Sequence, residues 1–366
     1  MSRAKQATYA QAGVDTARAG SALTDLTRLL QKTFGYRKGI GRVVLPLGYF
    51  ANVIALEDNL GLAISTDGVG SKVLISQMLG KFDTIGIDCI AMNANDLLCV
   101  GAEPLALVDY VAVQVANRRL LREMGKGLQE GARRARITIP GGEVAQLGEI
   151  IRGVRADEGF DLVGTCVGTV PLDRIIIGQH IKPMDVILGL QSSGIHSNGL
   201  TLARDVVFRR RKLRPNQYIP ELGRSIGQEL LEPTRIYVPA IVEMMRAGLE
   251  LKALIHITGD GLLNLSRVAA RVGFVIDFWP DPHPIFSVIQ AMGRISSKEM
   301  FRVFNMGIGF CMILPDDPAQ IDRVMTIAKK HGVECYPLGH TIRDAERKIL
   351  VRPYQLVGRG DVFRPA

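Results

Sequence analysis

The chain has 366 residues and a formal net charge of +9, with 47% hydrophobic and 22% charged residues. This composition is that of an ordinary soluble globular protein and excludes a disordered or fibrous chain, and the length predicts two domains. The excess of basic residues suits a protein that binds anionic metabolites. It would also suit a nucleic-acid binder, although the basic residues are scattered along the chain.

Cysteine usage and the lack of long apolar runs indicate the cellular setting. The cysteines are odd in number, widely spaced and without a CxxC pair: Cys89, Cys99, Cys166, Cys311 and Cys335. This pattern predicts reduced thiols rather than disulfides or a zinc site. The first residues lack the apolar core of a signal peptide, and no apolar run approaches the roughly 18 residues of a membrane span. We therefore expect a cytoplasmic protein without a membrane segment.

The N-terminal region predicts a helix, a glycine-rich loop and the start of a sheet. Leucines at helical spacing predict the helix over Thr16–Thr33. Gly35–Gly48 carries several glycines and a proline, and it is either a ligand-covering loop or a plain connector. Strand residues begin at Asn52–Leu56 and lead into the next motif.

The stretch Leu62–Lys72, LAISTDGVGSK, is the leading candidate for a binding site in the first half. A short apolar strand ends here in Asp67, Gly68, Gly70 and Lys72. Glycines let backbone N–H groups approach an anion, a carboxylate can hold Mg²⁺, and a lysine offers positive charge to phosphate oxygens. The acid precedes the glycines, so the stretch is not a P-loop. An ordinary β-turn capped by the aspartate is the alternative.

A buried helix with polar residues is predicted next, over Phe82–Leu98. Its apolar residues recur at helical spacing, and Asp88, Asn95 and Asp96 lie close to the buried face. Isolated buried carboxylates are costly, so these residues should be paired, hydrogen-bonded or bound to a metal. Gly101 would end the helix.

The rest of the first half predicts further strands and one helix. These are a central strand over Leu105–Val115, a helix over Asn117–Arg136, a short strand over Ile137–Ile139 that Pro140-Gly141-Gly142-Glu143 breaks, and a strand over Asp161–Val170. The break would place the carboxylate of Glu143 beside bare backbone. That residue is then either a second metal ligand or only part of a turn.

A domain boundary is predicted after residue 170, where the pattern of strand, motif and helix begins again. Val186–Leu190 predicts a strand and Leu200–Arg210 a helix, and the loop between them, Gln191–Gly199, is rich in serine and glycine. A strand, such a loop and a helix N-terminus form an anion-binding layout. In this layout His196 would contact phosphate or move a proton. A capping loop with a hydrogen-bonded histidine is the alternative.

The remaining pattern alternates helices and strands and ends in a polar tail. Helices are predicted over Pro233–Ala247, from Leu262 and over Pro318–His331, and strands over Phe274–Phe278, up to Leu314 after a turn at Asn305–Gly309, and over Ile349–Pro353. The tail, Tyr354–Ala366, is polar and carries several glycines. We expect it to be poorly ordered.

Three carboxylates, Asp67, Asp96 and Glu143, each end or flank an apolar element of the first half. If their elements share one sheet, the three would converge on a Mg²⁺–nucleotide, with Lys72 on a phosphate oxygen. The loop that carries His196 would hold a second phosphate. The residues by themselves therefore predict an ATP-using enzyme that acts on a phosphorylated small molecule.

A series of motifs resembles, in the same order, those of the aminoimidazole ribonucleotide synthetase family, the phosphoribosylformylglycinamidine cyclo-ligases of purine biosynthesis. They are TDGVGSK at Thr66–Lys72, FDTIGIDCIAMNANDLLCVGAEPL at Phe82–Leu105, GGE at Gly141–Glu143, SSGIHSNG at Ser192–Gly199, LLEPTRIYV at Leu230–Val238, HITGDG at His256–Gly261 and FNMGIG at Phe304–Gly309. The resemblance extends from Ala12-Gly13-Val14-Asp15 to the last strand.

The resemblance implies an α/β (α+β) protein of two domains. Residues 1–170 would form an ATP-binding and dimerisation domain whose mixed sheet closes a barrel with that of a second copy. Residues 171–353 would form an α/β sandwich, and 354–366 a tail. The enzyme would close the ring of formylglycinamidine ribonucleotide to aminoimidazole ribonucleotide while ATP is converted to ADP and phosphate. Phosphorylation of the formyl amide oxygen would create the leaving group that the neighbouring amidine nitrogen displaces.

The resemblance also implies the residues of the site. The metal ligands would be Asp67, Asp96 and Glu143, and ATP would contact these together with Gly68, Gly70, Lys72 and Asn95. The substrate loop would contribute Ser192, Ser193, Gly194, His196, Ser197 and Asn198. The catalytic residues would be Asp67, Lys72 and His196.

Some positions depart from the family's pattern and leave alternatives open. Ala10 stands where a lysine is usual, Gly39–Gly48 differs from the family's glycine-rich loop, Gly141–Gly148 differs after its first three residues, and Asp260 replaces a glycine. One alternative is a relative that acts on another phosphorylated or amide substrate, as selenophosphate synthetase, thiamine-phosphate kinase and the hydrogenase maturation dehydratase do. The others are a nucleotide-binding paralogue without turnover and, third, a nucleic-acid binder.

Overall fold

The computed structural model describes residues 6–13 and 16–366, and its side chains are described from residue 22 onward in the first helix. Val14 and Asp15 of the Ala12–Asp15 motif lie outside the described residues, as do the first five residues of the N-terminal stretch. Among the described helices, none is both long and apolar enough to cross a membrane.

Helices and strands are interspersed along the described chain. The α-helices are α1 (Thr16–Lys32), α2 (Lys72–Leu79), α3 (Ile85–Leu98), α4 (Arg118–Ala135), α5 (Leu200–Arg204), α6 (Ile226–Leu230), α7 (Val238–Arg246), α8 (Pro284–Gly293), α9 (Ser297–Val303) and α10 (Pro318–Lys330). The strands are β1 (Asn52–Glu57), β2 (Leu60–Gly68), β3 (Glu103–Val113), β4 (Thr138–Gln146), β5 (Phe160–Pro171), β6 (Val186–Gln191), β7 (Tyr218–Ile219), β8 (Arg224–Ser225), β9 (Ala253–His256), β10 (Gly273–Ile276), β11 (Ile308–Leu314), β12 (Cys335–Ile342), β13 (Ile349–Val351), β14 (Leu356–Arg359) and β15 (Val362–Pro365). The prediction of a mixed α/β chain is confirmed.

The first half forms a five-stranded sheet with the order β1-β2-β5-β3-β4. All neighbouring strands are antiparallel except β3 and β4, which are parallel. Helix α3 packs on β2 and β5, and α4 packs on α3. Residues of β5 alternate between buried positions and half-buried or exposed ones, so one face of the sheet lies under α3 and the other is open.

The close packing of α3 on α4 depends on a glycine. A Cβ atom at Gly86 would stand within 3 Å of the backbone of Gly127 and Leu128. Only glycine permits this approach, and it lets α3 lie flat between the sheet and α4. The position of α3 decides where its polar residues point.

The second half forms an eight-stranded sheet with the order β15-β14-β13-β10-β12-β6-β11-β9. Every residue of β11 is buried, as its continuous apolar run predicts for a central strand. Trp279 donates a hydrogen bond to the carbonyl of Met306 (2.9 Å) and packs against Phe301. This core surrounds the start of β11, beside the loop that follows β6.

The predicted end of one strand and the predicted disorder of the C-terminal tail are both wrong. The strand that was expected to end at Ile139 continues as β4 through Pro140 to Gln146. Proline is tolerated because β4 is an edge strand and Pro140 lies where the register with β3 shifts. The expected poorly ordered tail instead forms β14 and β15, whose Leu356 and Phe363 are buried at the edge of the second sheet.

Three predicted helices differ in extent or type. The helix from Leu200 ends as α-helix at Arg204 and continues as a π-helix over Asp205–Arg210. The segment from Leu262 is part of a 3₁₀ helix over Gly261–Arg267. The helix predicted from Pro233 begins only at Val238, because side chains from elsewhere bind the backbone of the residues before it.

Candidate functional site

The TDGVGSK motif lies where β2 ends and α2 begins. Gly70 has a φ of +67°, a left-handed conformation that favours glycine. Oδ1 of Asp67 accepts a hydrogen bond from the N–H of Gly68 (2.8 Å), and the carbonyl of Asp67 accepts one from Nδ2 of Asn93 on α3 (3.1 Å). The motif is therefore a rigid strand-to-helix turn that presents the carboxylate of Asp67 towards α3.

A second carboxylate and a histidine stand beside Asp67. Asp96, near the end of α3, pairs through Oδ1 with Nδ1 of His256, the last residue of β9 (2.8 Å). Burial and the negative charge of Asp96 raise the pKa of Asp67 to about 6, against the lowering effects of the Gly68 N–H and His256. Two neighbouring carboxylates with one histidine leave negative charge uncompensated, and this is an arrangement that a bound cation stabilises.

Lys72 lies in the protein interior. Its Nζ donates to Oδ1 of Asp88 (2.7 Å) and to the carbonyl of Glu232, and the side chains of Lys72 and Asp88 are both fully buried. The ammonium group is thus neutralised by Asp88 and faces the second half of the chain. Contact between Lys72 and a phosphate stays a prediction that this geometry does not favour.

Both polar atoms of the Asn95 side-chain amide are likewise hydrogen-bonded within the protein. Its Nδ2 donates to the carbonyl of Arg235 (2.9 Å), and its Oδ1 accepts from the N–H of Tyr237 (3.0 Å). Asn95 therefore ties α3 to the second half of the chain. Together with the Lys72–Asp88 pair, it confirms the expectation that polar residues on the buried face of α3 find partners.

His196 is buried beneath the serine- and glycine-rich loop. Its Nε2 accepts hydrogen bonds from the N–H groups of Ser193 (3.1 Å) and Arg235 (3.4 Å), which assigns the ring proton to Nδ1. Burial, with several nearby positive groups, holds the pKa of His196 well below its usual range. The imidazole is neutral at physiological pH, so it does not bind phosphate as a cation.

The other residues of this loop divide into engaged and available groups. Ser193 Oγ donates to the carbonyl of Pro233 (2.6 Å), and Ser197 Oγ donates to Asp88 (3.1 Å). Among the described residues, Oγ of Ser192 and Nδ2 of Asn198 are buried without a hydrogen-bond partner. These two groups remain available to a ligand. Gly194, the remaining residue of the predicted substrate loop, accepts a hydrogen bond at its carbonyl from Nδ2 of Asn305 (2.9 Å).

The loops of the two halves meet at the TDGVGSK motif. Ser71 Oγ and Thr201 Oγ1 are 3.1 Å apart, and Ser197 Oγ of the loop donates to Asp88 of α3. The predicted nucleotide motif and the predicted substrate loop are therefore neighbours across the boundary between the halves.

Glu143 is not part of this cluster. It lies on β4 opposite Tyr110, whereas Asp67 lies in the next row of the sheet, opposite Gly164 and Asp109. Side chains of successive rows leave a sheet on opposite faces, and three strand spacings separate β2 from β4 by roughly 14 Å. Glu143 is exposed on the open face, so a single chain does not bring the three predicted carboxylates together.

Across residues 6–13 and 16–366, no group of three or more histidine, cysteine, aspartate or glutamate side chains is placed to hold a metal ion. Sequence reasoning also missed His256 and Thr234 as members of the site. Both lie in motifs that were recognised, HITGDG and LLEPTRIYV, but a motif does not reveal which of its side chains meet another segment.

Asp67 lines none of three cavities of about 420 to 480 Å³. One of about 440 Å³ lies beyond the C-terminal end of α3, beside the exposed Glu103–Arg246 pair. Another of about 420 Å³ lies on the outer side of the loop and is lined by Ser193, Arg235 and His283, among others. The chemistry of the site is therefore better located by its carboxylates than by cavity size.

Comparison with known proteins gives matches over both halves. The sequence-family model for the N-terminal domain of AIR synthase related proteins matches residues 48–170. The family model for the C-terminal domain matches residues 182–352. The phosphoribosylformylglycinamidine cyclo-ligase of Methanothermobacter thermautotrophicus is 45% identical over 91% of this chain and 93% of its own. That of Methanocaldococcus jannaschii is 44% identical over 97% of each.

Solved structures share the fold at low sequence identity. A chain of the HypE–HypF complex has a TM-score of 0.61 and 19% identity, over 86% of this chain and 93% of its own. Thermotoga maritima PurL complexed with ADP has a TM-score of 0.53 and 16% identity, over 87% of this chain and 45% of its own. These likenesses concern the fold alone.

Proposed function

Because the chain belongs to the AIR synthase related family, we propose that it is a phosphoribosylformylglycinamidine cyclo-ligase. The observation that carries this proposal is its 45% identity over 91% of the chain to a protein of that name. The paired carboxylates at the end of β2 supply a site of suitable chemistry. The missing lysine at Ala10 and the altered glycine-rich loop are then tolerated variation.

The proposed reaction has two steps. ATP transfers its terminal phosphoryl group to the formyl amide oxygen of formylglycinamidine ribonucleotide. The neighbouring amidine nitrogen then attacks the activated carbon, phosphate leaves, and aminoimidazole ribonucleotide, ADP and a proton result. The ring closure is intramolecular and so has a proximity advantage; the first step requires the phosphoryl donor and the amide to be held in contact.

We assign the nucleotide to the N-terminal side of the boundary between the halves. Asp67 and Asp96 are hard oxygen donors whose mutual repulsion a divalent cation relieves, so their chemistry fits Mg²⁺. When bound, Mg²⁺ neutralises charge on the transferring phosphoryl group. Gly68 and Gly70 leave the backbone open to phosphates. A PurL chain with this fold was solved with ADP, which supports ATP as co-substrate.

We assign the substrate to the loop that follows β6. The unpartnered donors on Ser192 and Asn198 are suited to oxygen atoms of the ribonucleotide. His196 stays neutral and, with Ser193 and Ser197, shapes the loop from beneath. Lys72 and Asn95 are left out of the ligand set because their polar atoms are engaged inside the protein.

We further propose that the open face of the first sheet is covered by a second copy of the chain. This face carries half-buried Ile54, Ile64 and Val163 together with Val108 and Tyr110, which are 45% and 42% exposed. A contiguous apolar face of this kind marks an interaction surface, and pairing two such faces would close a barrel. Glu143 projects from the same face, so its contribution to a site would come through that dimer.

Residues 1–170 are then the ATP-binding and dimerisation domain, and residues 171–353 are the substrate domain. The strands β14 and β15 extend the sheet of that second domain. The five cysteines are free and buried, which is compatible with a reducing cytoplasm.

The test is phosphate release from ATP and Mg²⁺ by purified protein with formylglycinamidine ribonucleotide, with the aminoimidazole product followed in parallel. Both should appear in equal amounts, and both should stop when the ribonucleotide is left out. ATP binding without either product would refute the cyclo-ligase proposal and favour a paralogue with another substrate or without turnover. Light scattering of a Tyr110→Asp variant tests the dimer, which this charge should dissociate.

A further inference from the structure

Residues 232–237, Glu-Pro-Thr-Arg-Ile-Tyr, connect α6 to α7 within the second half, and this connecting segment lies against the first half. Its carbonyl groups are bound by side chains rather than by a helix or a sheet. Lys72 Nζ donates to the carbonyl of Glu232, Ser193 Oγ to that of Pro233, and Asn95 Nδ2 to that of Arg235. Two of these donors come from the first half and one from the substrate loop.

The N–H groups of the connecting segment are bound in the same way. Thr234 N–H donates to Asp88 Oδ1 (2.7 Å), Arg235 N–H to His196 Nε2 (3.4 Å) and Tyr237 N–H to Asn95 Oδ1 (3.0 Å). The segment therefore lies between α3 and the substrate loop and is hydrogen-bonded to both.

Asp88 is the centre of this arrangement. Its Oδ1 accepts from Lys72 Nζ (2.7 Å), from Thr234 Oγ1 (2.6 Å) and N–H, and from Ser197 Oγ (3.1 Å). Ser197 and Thr234 hydroxyls are also 3.0 Å apart. A single buried oxygen atom thus joins the residue that follows the nucleotide turn, the connecting segment and the substrate loop.

We propose that Asp88, through Thr234 and the connecting segment, is a positioning residue that holds the substrate loop in register with the Asp67 turn. This inference rests on the proposed function, in which the phosphoryl donor lies on one side of the boundary and the amide on the other. Sliding of one loop past the other would break several hydrogen bonds to a buried charge, and each such bond is costly to lose. Lys72 then acts by fixing Asp88.

Thr234→Val tests the proposal with little change in volume. It removes the hydroxyl that donates to Asp88 and retains the backbone N–H, while Thr234→Ser retains both. Thr341→Val is the matched control, because Thr341 is also fully buried and its hydroxyl bonds to the backbone of Lys182 and Asp185 within the second half alone.

We expect Thr234→Val to lower kcat about tenfold to a hundredfold, since misplacement by about 1 Å has effects of that size. The KM for ATP should stay within about twofold, because Asp67 and Asp96 are untouched. Thr234→Ser and Thr341→Val should each retain kcat within about threefold. Hydrogen exchange of the amides at 193–197 and 68–72 should accelerate together in Thr234→Val and remain unchanged in Thr341→Val.

Equal kcat in Thr234→Val and Thr341→Val, or uniform acceleration of exchange over the whole chain, would overturn the positioning role. So would a Lys72→Met variant that loses ATP affinity while its exchange at 193–197 is unaltered. If the unmodified protein forms no aminoimidazole product, the proposed function fails by itself. The exchange measurement then still decides whether Asp88 couples the two loops.

Discussion

The two ends of the TDGVGSK motif reach opposite environments. Asp67 stands beside a second carboxylate, with its pKa raised to about 6. Lys72 lies one short turn later, yet it is fully buried and neutralised by Asp88. The first end has charge without sufficient compensation, and the second has its charge matched within the fold.

This difference is the basis for assigning ligand binding to one end of the motif and structural support to the other. A carboxylate pair that repels itself is retained at a cost in stability, as is typical of functional sites. A buried lysine–aspartate pair with further hydrogen bonds to Asp88 fixes one segment against another. Substitutions at the two ends should therefore have opposite signatures, with activity lost at one and stability lost at the other.

The largest effect is expected from Asp67→Asn. If Asp67 serves Mg–ATP as proposed, loss of its carboxylate should lower kcat/KM by about a hundredfold to a thousandfold. The free energy of unfolding should remain equal or rise, because repulsion with Asp96 is removed. Steady-state kinetics and urea unfolding on the same preparation measure both. An active variant, or one that is substantially less stable, contradicts the assignment.

Lys72→Met should act mainly on stability. It leaves Asp88 buried without its cation, a change that typically costs about 3–5 kcal/mol. Urea unfolding measures this cost. Lys252→Met offers a comparison, since Lys252 and Asp185 form a buried pair at the same 2.7 Å distance within the second half. If Lys72→Met loses less than about 1 kcal/mol of unfolding free energy while Lys252→Met is severely destabilised, the Lys72–Asp88 pair does not stabilise the fold as the Lys252–Asp185 pair does.

The raised pKa of Asp67 predicts a smaller effect on stability that depends on pH. Since the pKa rises from 3.8 to about 6 on folding, the folded state binds more protons than the unfolded state between these values. By linkage, stability falls as pH increases through this window, and the whole cost is present above pH 6. Unfolding of the wild type and of Asp67→Asn should be compared at several pH values without metal or nucleotide. Parallel curves would mean that Asp67 titrates normally.

The smallest effect is expected at the exposed Arg246–Glu103 pair, which also joins the two halves. Its 2.6 Å distance is as short as those of the buried pairs, but the side chains are 67% and 40% exposed. Such pairs contribute about 1 kcal/mol or less, and salt weakens them further. Arg246→Ala should therefore change the urea midpoint only slightly. A cost comparable to that of Lys72→Met would show that burial is not what distinguishes the two contacts.

Local pattern was sufficient for much of the fold. The apolar periodicity of α3, the continuous apolar run of β11 and the glycine-rich turn after β2 each predicted the element that forms. The predictions were wrong at Pro140 and in the polar tail. Proline and glycine locally favour a strand end or disorder, and both predictions relied on them. An edge position for β4 and the buried Leu356 and Phe363 of the tail outweighed them.

Sequence by itself determined the family and the order of the motifs, and it predicted Asp67, Asp96 and the loop around His196 as site residues, because these inferences depend on residue type and spacing. Only the tertiary structure decided which charges face each other. It buried Lys72 against Asp88, paired Asp96 with His256 and sent Glu143 to the other face of the sheet. The physical reason is that a charge is governed by its neighbours in space and by its access to water, and neither is encoded in the spacing of one motif.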